Sequence, residues 1–232
     1  MKRCLCLFAL SFLAAPLAAQ AQDESQIYLR AGAGVNLMQH EREDARLTPA
    51  AATESLGDVT LSPGPAVAGA FGIPLRRNWW FEIEGSLRSN HVRRESGLGS
   101  ESLGAAAERK YGVMANVLYD RVRRGVRPYV GAGIGAQFID EPSTVTSSGG
   151  VTVSLTGGVK GALAYQLIGG AAIPITYGMY FTAEYRYLGL AGTRTYTGTA
   201  TIPGLGSFDL QDSSSHDANH AVLFGIRCAF GG

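Results

Sequence analysis

Cysteine, charge and unbroken apolar runs are all scarce in this sequence of 232 residues. It contains 3 cysteines, and 17% of its residues are charged, with 20 basic against 19 acidic side chains. The first scarcity excludes a fold stapled by disulfides, and the even charge balance excludes a basic nucleic-acid-binding surface. A membrane-spanning helix needs about 20 consecutive apolar residues. The one comparable uncharged stretch, residues 161–183, is interrupted by Pro174 and four glycines, so it predicts two strands and a turn rather than a helix.

Residues 1–21 have the layout of an export signal. Lys2 and Arg3 precede an apolar run that ends at a small-x-small cleavage motif. We expect cleavage between Ala21 and Gln22, which leaves residues 22–232 as a single mature domain. Cleavage would shift the formal net charge of +1 by two units, to −1, and would leave one thiol, which cannot form an internal disulfide.

Alternation with a period of two is the main signal in the rest of the chain. Between Trp79 and Arg88 the odd-numbered positions from 81 to 87 hold apolar residues or glycine, whereas Glu82, Glu84 and Ser86 lie between them. Acidic residues on one face and apolar residues on the other indicate a strand with two different environments.

Seven further segments show the same period. They are 27–38, 67–73, 110–120, 129–138, 162–173, 180–190 and 220–230. Long polar segments (39–62, 89–109, 139–159 and 191–219) alternate with short turns (74–78, 121–128 and 174–179). Strands of about 9–11 residues joined in this way are typical of outer-membrane barrels. We therefore predict an all-β fold, an eight-stranded antiparallel up-and-down transmembrane β-barrel with four long extracellular loops, three short periplasmic turns and both termini in the periplasm.

The alternation also assigns a lipid face. In the first strand this face is Ile27, Leu29, Ala31, Ala33, Val35 and Leu37, and in the last strand it is Val222, Phe224, Ile226, Cys228 and Phe230. Aromatic residues near the short turns are expected to form an interfacial girdle. They are Trp79, Trp80, Tyr119, Tyr129, Tyr177, Tyr180, Phe181 and Phe230.

Several short motifs resemble those of the small outer-membrane β-barrel proteins of the OmpA-like and opacity type. The motifs are Asn116-Val117-Leu118-Tyr119-Asp120, Pro128-Tyr129-Val130-Gly131-Ala132-Gly133-Ile134-Gly135, Ala164-Tyr165-Gln166-Leu167-Ile168-Gly169-Gly170, Glu184-Tyr185-Arg186-Tyr187 and Leu223-Phe224-Gly225-Ile226-Arg227. The resemblance covers nearly all of the mature chain and implies a barrel inserted by the barrel-insertion machinery. The family usually ends on an aromatic residue, whereas here Gly231 and Gly232 follow Phe230.

Charged residues of both signs fall on the predicted inward face. They are Arg30, Glu82, Glu84, Arg88, Lys110, Asp120, Glu184, Arg186 and Arg227. Mixed charges in a narrow lumen predict ion pairs, because an unpaired buried charge costs several kcal/mol. The favoured interpretation is a static polar core, and the alternative is a gate or narrow conductance path. Neighbouring arginines should keep the glutamates ionised, which argues against a catalytic carboxylate pair.

Glycines at every second position, Gly131, Gly133 and Gly135, would face the same lumen. An eight-stranded barrel is just wide enough inside for side chains, so these glycines are expected to make room for large residues opposite them. They lack the full spacing of a dinucleotide-binding loop, and no cofactor is predicted.

His216 and His220 have a spacing that can suit two ligands of one metal ion. Positions four apart on a strand are about 13 Å apart, however, so no metal site is predicted there. Ser213, Ser214 and Ser215 beside His216 are interpreted as loop composition rather than a hydrolase site.

Arginines without acidic neighbours mark the predicted periplasmic turns. They are Arg76, Arg77, Arg121, Arg123, Arg124 and Arg127. Such residues either pair with anionic phospholipid or are simply solvated.

The long segments 143–156 and 193–207 are rich in Ser, Thr, Gly and Ala, which indicates flexible exposed loops.

The favoured function is a non-enzymatic structural role in the outer membrane, as a multi-pass barrel that is monomeric and contacts outer-membrane lipid and lipopolysaccharide. A narrow porin is the main alternative. A lipid-modifying outer-membrane enzyme and a soluble periplasmic ligand-binding barrel are the remaining ones. The soluble barrel would place apolar residues inside and charges outside, the reverse of the assignment above.

Overall fold

The computed structural model describes residues 26–38, 41–48, 53–94, 107–148, 150–215 and 217–230. The predicted signal and its Ala21/Gln22 cleavage site lie outside the described residues, as do Gly231, Gly232 and His216, and the cleavage stays a prediction. The described strands are β1 (Ile27–Met38), β2 (Glu41–Thr48), β3 (Thr53–Leu61), β4 (Gly64–Arg76), β5 (Trp79–Arg94), β6 (Ala107–Asp120), β7 (Arg127–Glu141), β8 (Thr144–Ser148), β9 (Val151–Thr156), β10 (Gly158–Thr176), β11 (Met179–Ala191), β12 (Arg194–Ile202), β13 (Gly206–Ser215) and β14 (Ala218–Phe230).

Eight of these strands close into a barrel. Their order is β4-β1-β14-β11-β10-β7-β6-β5, and β5 pairs again with β4, so every barrel strand has a neighbour on both sides. All pairings are antiparallel. The predicted eight-stranded antiparallel barrel is therefore confirmed. The described part of the chain contains no helix with the length and apolar character of a membrane span.

The inside and outside of the barrel follow the sequence alternation. The predicted outward residues of β1 are all exposed, and those of β14 are exposed except Cys228, which is half-buried. In β5, Ile83 and Leu87 are exposed while Glu82 and Glu84 are fully buried. Apolar side chains outside and charged side chains inside are the reverse of a soluble ligand-binding barrel.

Three of the predicted girdle residues lie inside the barrel instead. Trp80, Tyr129 and Tyr180 are buried, and they pack with Tyr28 and Leu118 in one apolar cluster. The reason is positional, because each of the three has the same parity as the inward-facing charged residues of its strand. Their assignment to the girdle was wrong.

The remaining six strands form a second sheet at the long-loop end, which we call the crown. Its order is β8-β9-β12-β13-β2-β3, and residues 59–61 of β3 pair with residues 92–94 of β5. The prediction of flexible loops over 143–156 and 193–207 was wrong, since these residues form the hairpins β8–β9 and β12–β13. Backbone hydrogen bonds need no apolar face, so strands rich in Ser and Thr continue beyond the membrane without an alternation signal.

The crown has a small core of its own. Leu155 and Leu210 pack together there, and Tyr196 is buried. Burial and the neighbouring Glu141 carboxylate raise the pKa of Tyr196, and Lys160 lies 5.8 Å from the centre of its ring. The crown is therefore a packed element with an interior.

Candidate functional site: the polar lumen

The structure places the predicted inward-facing charges in the barrel interior. All nine are at most 7% exposed; they are Arg30, Glu82, Glu84, Arg88, Lys110, Asp120, Glu184, Arg186 and Arg227. The alternation of the strands brings them there from β1, β5, β6, β11 and β14. Their contacts form three layers along the barrel axis.

The middle layer joins two arginines to three glutamates. Arg30 forms ion pairs with Glu82 (2.7 Å), Glu84 (3.2 Å) and Glu184. Arg186 contacts Glu84 at 2.5 Å and Glu184 at 2.6 Å. Each arginine therefore bridges carboxylates that come from β5 and β11, on different sides of the barrel.

Neutral side chains complete the middle layer. The Tyr28 hydroxyl donates to Glu82, and the Tyr129 hydroxyl donates to Glu184 at 2.5 Å. The Asn116 amide donates to Glu84 at 3.3 Å. Each glutamate is thus held by at least one arginine and one neutral donor, which offsets the cost of burying its charge.

The layer at the short-turn end combines a buried cation with aromatic rings. The Arg227 guanidinium carbon lies 3.6 Å from the centre of the Tyr28 ring and 4.9 Å from that of Trp80. Arg227 also pairs with Asp120 at 3.6 Å, and Arg127 pairs with the same carboxylate at 3.3 Å. This layer lines the short-turn end of the lumen with ring faces and one shared acid.

The layer at the long-loop end ties the barrel to the crown. Asp217, just before β14, accepts from Lys110 of β6 at 2.6 Å and from Arg194 of β12 at 3.0 Å. Lys110 also pairs with Glu108 at 2.9 Å, and the Asn219 amide donates to Asp217 at 2.6 Å. One carboxylate therefore joins three separate strands at the boundary.

Some buried polar atoms of the lumen have no hydrogen-bond partner among the described residues. Between the middle and long-loop layers they are Arg88 Nη1 and both amide atoms of Gln137, and in the short-turn layer they are Trp80 Nε1 and Arg227 Nε and Nη2. Buried polar groups are normally satisfied by protein or by water. Bound water is therefore expected beside these atoms.

The glycines of β7 lie opposite inward-facing side chains of β6, as the sequence predicted. Gly131, Gly133 and Gly135 pair with Leu118, Asn116 and Met114 in turn. A Cβ at these glycines would lie 2.1 Å from Leu118 Cδ2, 1.9 Å from Asn116 Oδ1 and 2.1 Å from the Val113 carbonyl oxygen. The glycines therefore provide the space that the inward side chains fill.

Five of the six predicted turn arginines are exposed at the short-turn end. Arg76 ends β4, and the other four lie in turns: Arg77, Arg121, Arg123 and Arg124. Arg127 differs from the prediction, because the β6–β7 turn ends at Val126. As the first residue of β7, Arg127 faces inward and pairs with Asp120.

The alternative chemistries have little support in the described residues. The three glutamates of the middle layer each form an ion pair with arginine, so their carboxylates are held in structural contacts. The described residues include no group of His, Cys, Asp and Glu side chains able to hold a metal ion. The metal and hydrolase sites considered from the sequence both need His216, which lies outside the described residues.

Several lumen residues were missed by the sequence reasoning. They are Asn36, Asn90, Glu108, Asn116, Gln137, Gln166, Arg194, Asp217 and Asn219. Asn36, Asn116, Gln137 and Gln166 lie in predicted strands, and their inward parity was a usable signal. Asn90, Glu108, Arg194, Asp217 and Asn219 carried no such signal, because they lie in segments interpreted as loops.

A closed antiparallel barrel with a polar interior and an apolar exterior defines an integral membrane protein. The sequence profile described as "Outer membrane protein beta-barrel domain" matches residues 5–226. The chain therefore belongs to the outer-membrane β-barrel family, and it is an outer-membrane protein.

Individual relatives agree with this assignment. An "Outer membrane protein" of Gluconacetobacter diazotrophicus is 31% identical over 229 residues, which cover 94% of this chain and 61% of the relative. The chain thus spans about three fifths of that relative's length.

Solved structures share the fold. The outer membrane protein OprG from Pseudomonas aeruginosa matches with a TM-score of 0.65 at 16% identity, over 90% of this chain and 97% of its own. The outer membrane protein AlkL, solved in lipid bilayers, matches with a TM-score of 0.54 at 16% identity, over 95% of this chain and 98% of its own. At this identity the likeness extends to the fold alone.

Proposed function

We propose that this protein is a structural, non-catalytic outer-membrane barrel with a sealed lumen. The observation that carries the proposal is the middle layer, where Arg30 and Arg186 bridge three glutamates from two sides of the barrel. Opening a path through this layer would separate buried charges, and breaking such a pair costs about 3–5 kcal/mol.

The other layers support a sealed interior. Arg227 stacked on Tyr28 fills the short-turn end, and the Lys110–Asp217–Arg194 pairs span the long-loop end. With every glutamate of the middle layer paired, none is positioned as a general acid. A stabilising role in the envelope fits this arrangement better than transport or catalysis.

The same proposal covers partners and orientation. The crown is placed at the cell surface, and the apolar band below it contacts lipid and the acyl chains of lipopolysaccharide. Because each barrel strand is paired on both sides within the described residues, no barrel edge is left for a second copy, which supports a monomer. Insertion is assigned to the barrel-insertion machinery.

Planar-bilayer recording of the folded protein tests the sealed lumen. The parent is expected to show no stable single-channel steps in molar KCl. The double variant Glu84→Ala/Arg186→Ala removes both partners of one ion pair, and it is expected to conduct ions. A boiling-dependent gel shift verifies that this variant is folded. Stable conductance steps from the parent would contradict the proposal.

A narrow porin is the second candidate, and one observation favours it. Arg88 and Gln137 present buried polar atoms without a hydrogen-bond partner among the described residues, and water along a path through the lumen would satisfy them. In this alternative the parent conducts, and substituting Gln137 changes the conductance.

A further inference from the structure

Within the described residues, the exposed charge at the short-turn end lies in two neighbouring turns. The β4–β5 and β6–β7 turns, residues 74–78 and 121–126, contain five arginines and no acidic residue. The β10–β11 turn, which lies opposite the β4–β5 turn in the strand order, has no charge and exposes Tyr177. The two arginine-bearing turns are neighbours, since the Asp120 amide donates to the Asn78 carbonyl at 2.9 Å.

Aromatic rings lie between these two turns on the outer wall. Trp79 of β5 pairs directly with Tyr119 of β6, and their ring centres are 5.2 Å apart. Both residues have the parity of the lipid-facing side chains and are half-buried. The Arg76 guanidinium lies 5.5 Å from the centre of the Trp79 ring. A cation is therefore held against an interfacial aromatic pair.

The β6–β7 hairpin extends the same face beyond the barrel rim. The Arg121 amide donates to the Pro128 carbonyl at 3.1 Å, and Arg123 and Val126 exchange two backbone hydrogen bonds. Arg124 and Gly125, with φ of 51° and 84°, close the hairpin in a type I′ geometry. Because the ladder continues, Arg121 and Arg123 follow Tyr119 at intervals of two and lie on its face.

We propose that Arg76, Arg121 and Arg123, with Trp79 and Tyr119, form a binding site for the headgroup of an anionic phospholipid in the leaflet at the short-turn end. The guanidinium groups would bind the phosphodiester, as paired N–H donors do, and the rings would contact the glycerol and upper acyl region. The complementarity is of charge and depth: three cations from two turns that contain no acidic residue lie beside an aromatic pair at the membrane boundary.

Quenching of Trp79 by brominated lipid measures occupancy of this site. The chain has 2 tryptophans, and the other, Trp80, is 3% exposed inside the lumen, so Trp79 reports on lipid contact. The folded protein is placed in vesicles that mix brominated phosphatidylglycerol with ordinary phosphatidylcholine. It is then placed in vesicles that mix ordinary phosphatidylglycerol with brominated phosphatidylcholine, and the two degrees of quenching are compared. The Trp79→Phe variant supplies the background signal.

The parent is expected to prefer phosphatidylglycerol over phosphatidylcholine by at least about five-fold, the factor expected from a single arginine near an anionic surface. In Arg76→Gln/Arg121→Gln/Arg123→Gln the ratio is expected to fall to about one, while Arg109→Gln at the opposite end leaves it unchanged. A ratio near one in the parent, or an equal loss in Arg109→Gln, overturns the site. A stronger preference for lipid A than for phosphatidylglycerol would assign the patch to lipopolysaccharide and also overturn the proposal.

Discussion

Glu84 is the most heavily contacted acid of the lumen. Its carboxylate pairs with Arg186 and Arg30, and the Asn116 and Gln166 amides donate to it at 3.3 and 3.4 Å. A side chain with four partners from four other strands fixes the barrel cross-section more than any local preference does. The network therefore acts as an internal brace, and each member depends on the others.

Removing that carboxylate should expose this dependence. We expect Glu84→Ala to lower the free energy of unfolding by about 3–5 kcal/mol, because Arg186 and Arg30 each lose an acid in a buried site. Urea titration of the protein folded in vesicles measures the loss. The double variant with Arg186→Ala should be less than additive, since the stranded cation is also gone. Additive losses would show that the pair is not coupled.

Gly135 illustrates the opposite constraint, a position where a side chain has no room. A Cβ there would lie 2.1 Å from the Val113 carbonyl oxygen and 2.8 Å from the Met114 Cα, both backbone atoms that cannot rotate away. Gly135→Ala is expected to destabilise the barrel by about 1–3 kcal/mol through overpacking. The matched control is Gly85→Ala on the outer face, where no atom lies within 4 Å. Equal urea midpoints for the two variants would contradict this account.

At the scale of the element, the predicted barrel strands have the correct order and faces but are mostly too short. The prediction for β10, for example, covers 162–173, whereas the strand is Gly158–Thr176 with a bulge near Pro174. Alternation is imposed by the lipid, so it disappears where the wall leaves the hydrocarbon layer although the hydrogen-bond ladder continues. The crown strands were missed for the same reason.

Two exposed apolar residues, one in a barrel strand and one in a crown strand, can be used to compare the two environments. Ile83 in β5 and Val145 in β8 are 46% and 62% exposed, and we place the first against lipid and the second in water. Ile83→Arg is expected to cost about 2–4 kcal/mol of barrel stability, because its charge would sit in the hydrocarbon layer. Val145→Arg should leave the urea midpoint unchanged. Equal tolerance of both substitutions would mean that Ile83 does not face lipid.

At the scale of the whole molecule, the sequence predicted the barrel, its lipid face and its polar inward face, but not which side chains pair inside the lumen. Parity selects which residues point inward, and it selected Glu82, Glu84 and Glu184 correctly. Which arginine bridges which acid depends on the barrel cross-section, and that is set by register between strands far apart in sequence. Arg30 and Glu184, for instance, are 154 positions apart. The link from Arg194 in the crown to Asp217 has the same origin.

Orientation is the property of the whole molecule that can be tested most directly. Val145 in the crown and Tyr177 in the β10–β11 turn are 62% and 77% exposed, so cysteines at both positions are accessible to a reagent on their own side of the membrane. In a Cys228→Ser background, a membrane-impermeant maleimide added to intact cells should label Val145→Cys and spare Tyr177→Cys. Both variants should be labelled after lysis, which controls for reactivity. Labelling of Tyr177→Cys alone in intact cells would place the arginine-rich turns outside, and with them the charged patch that we assign to the inner leaflet.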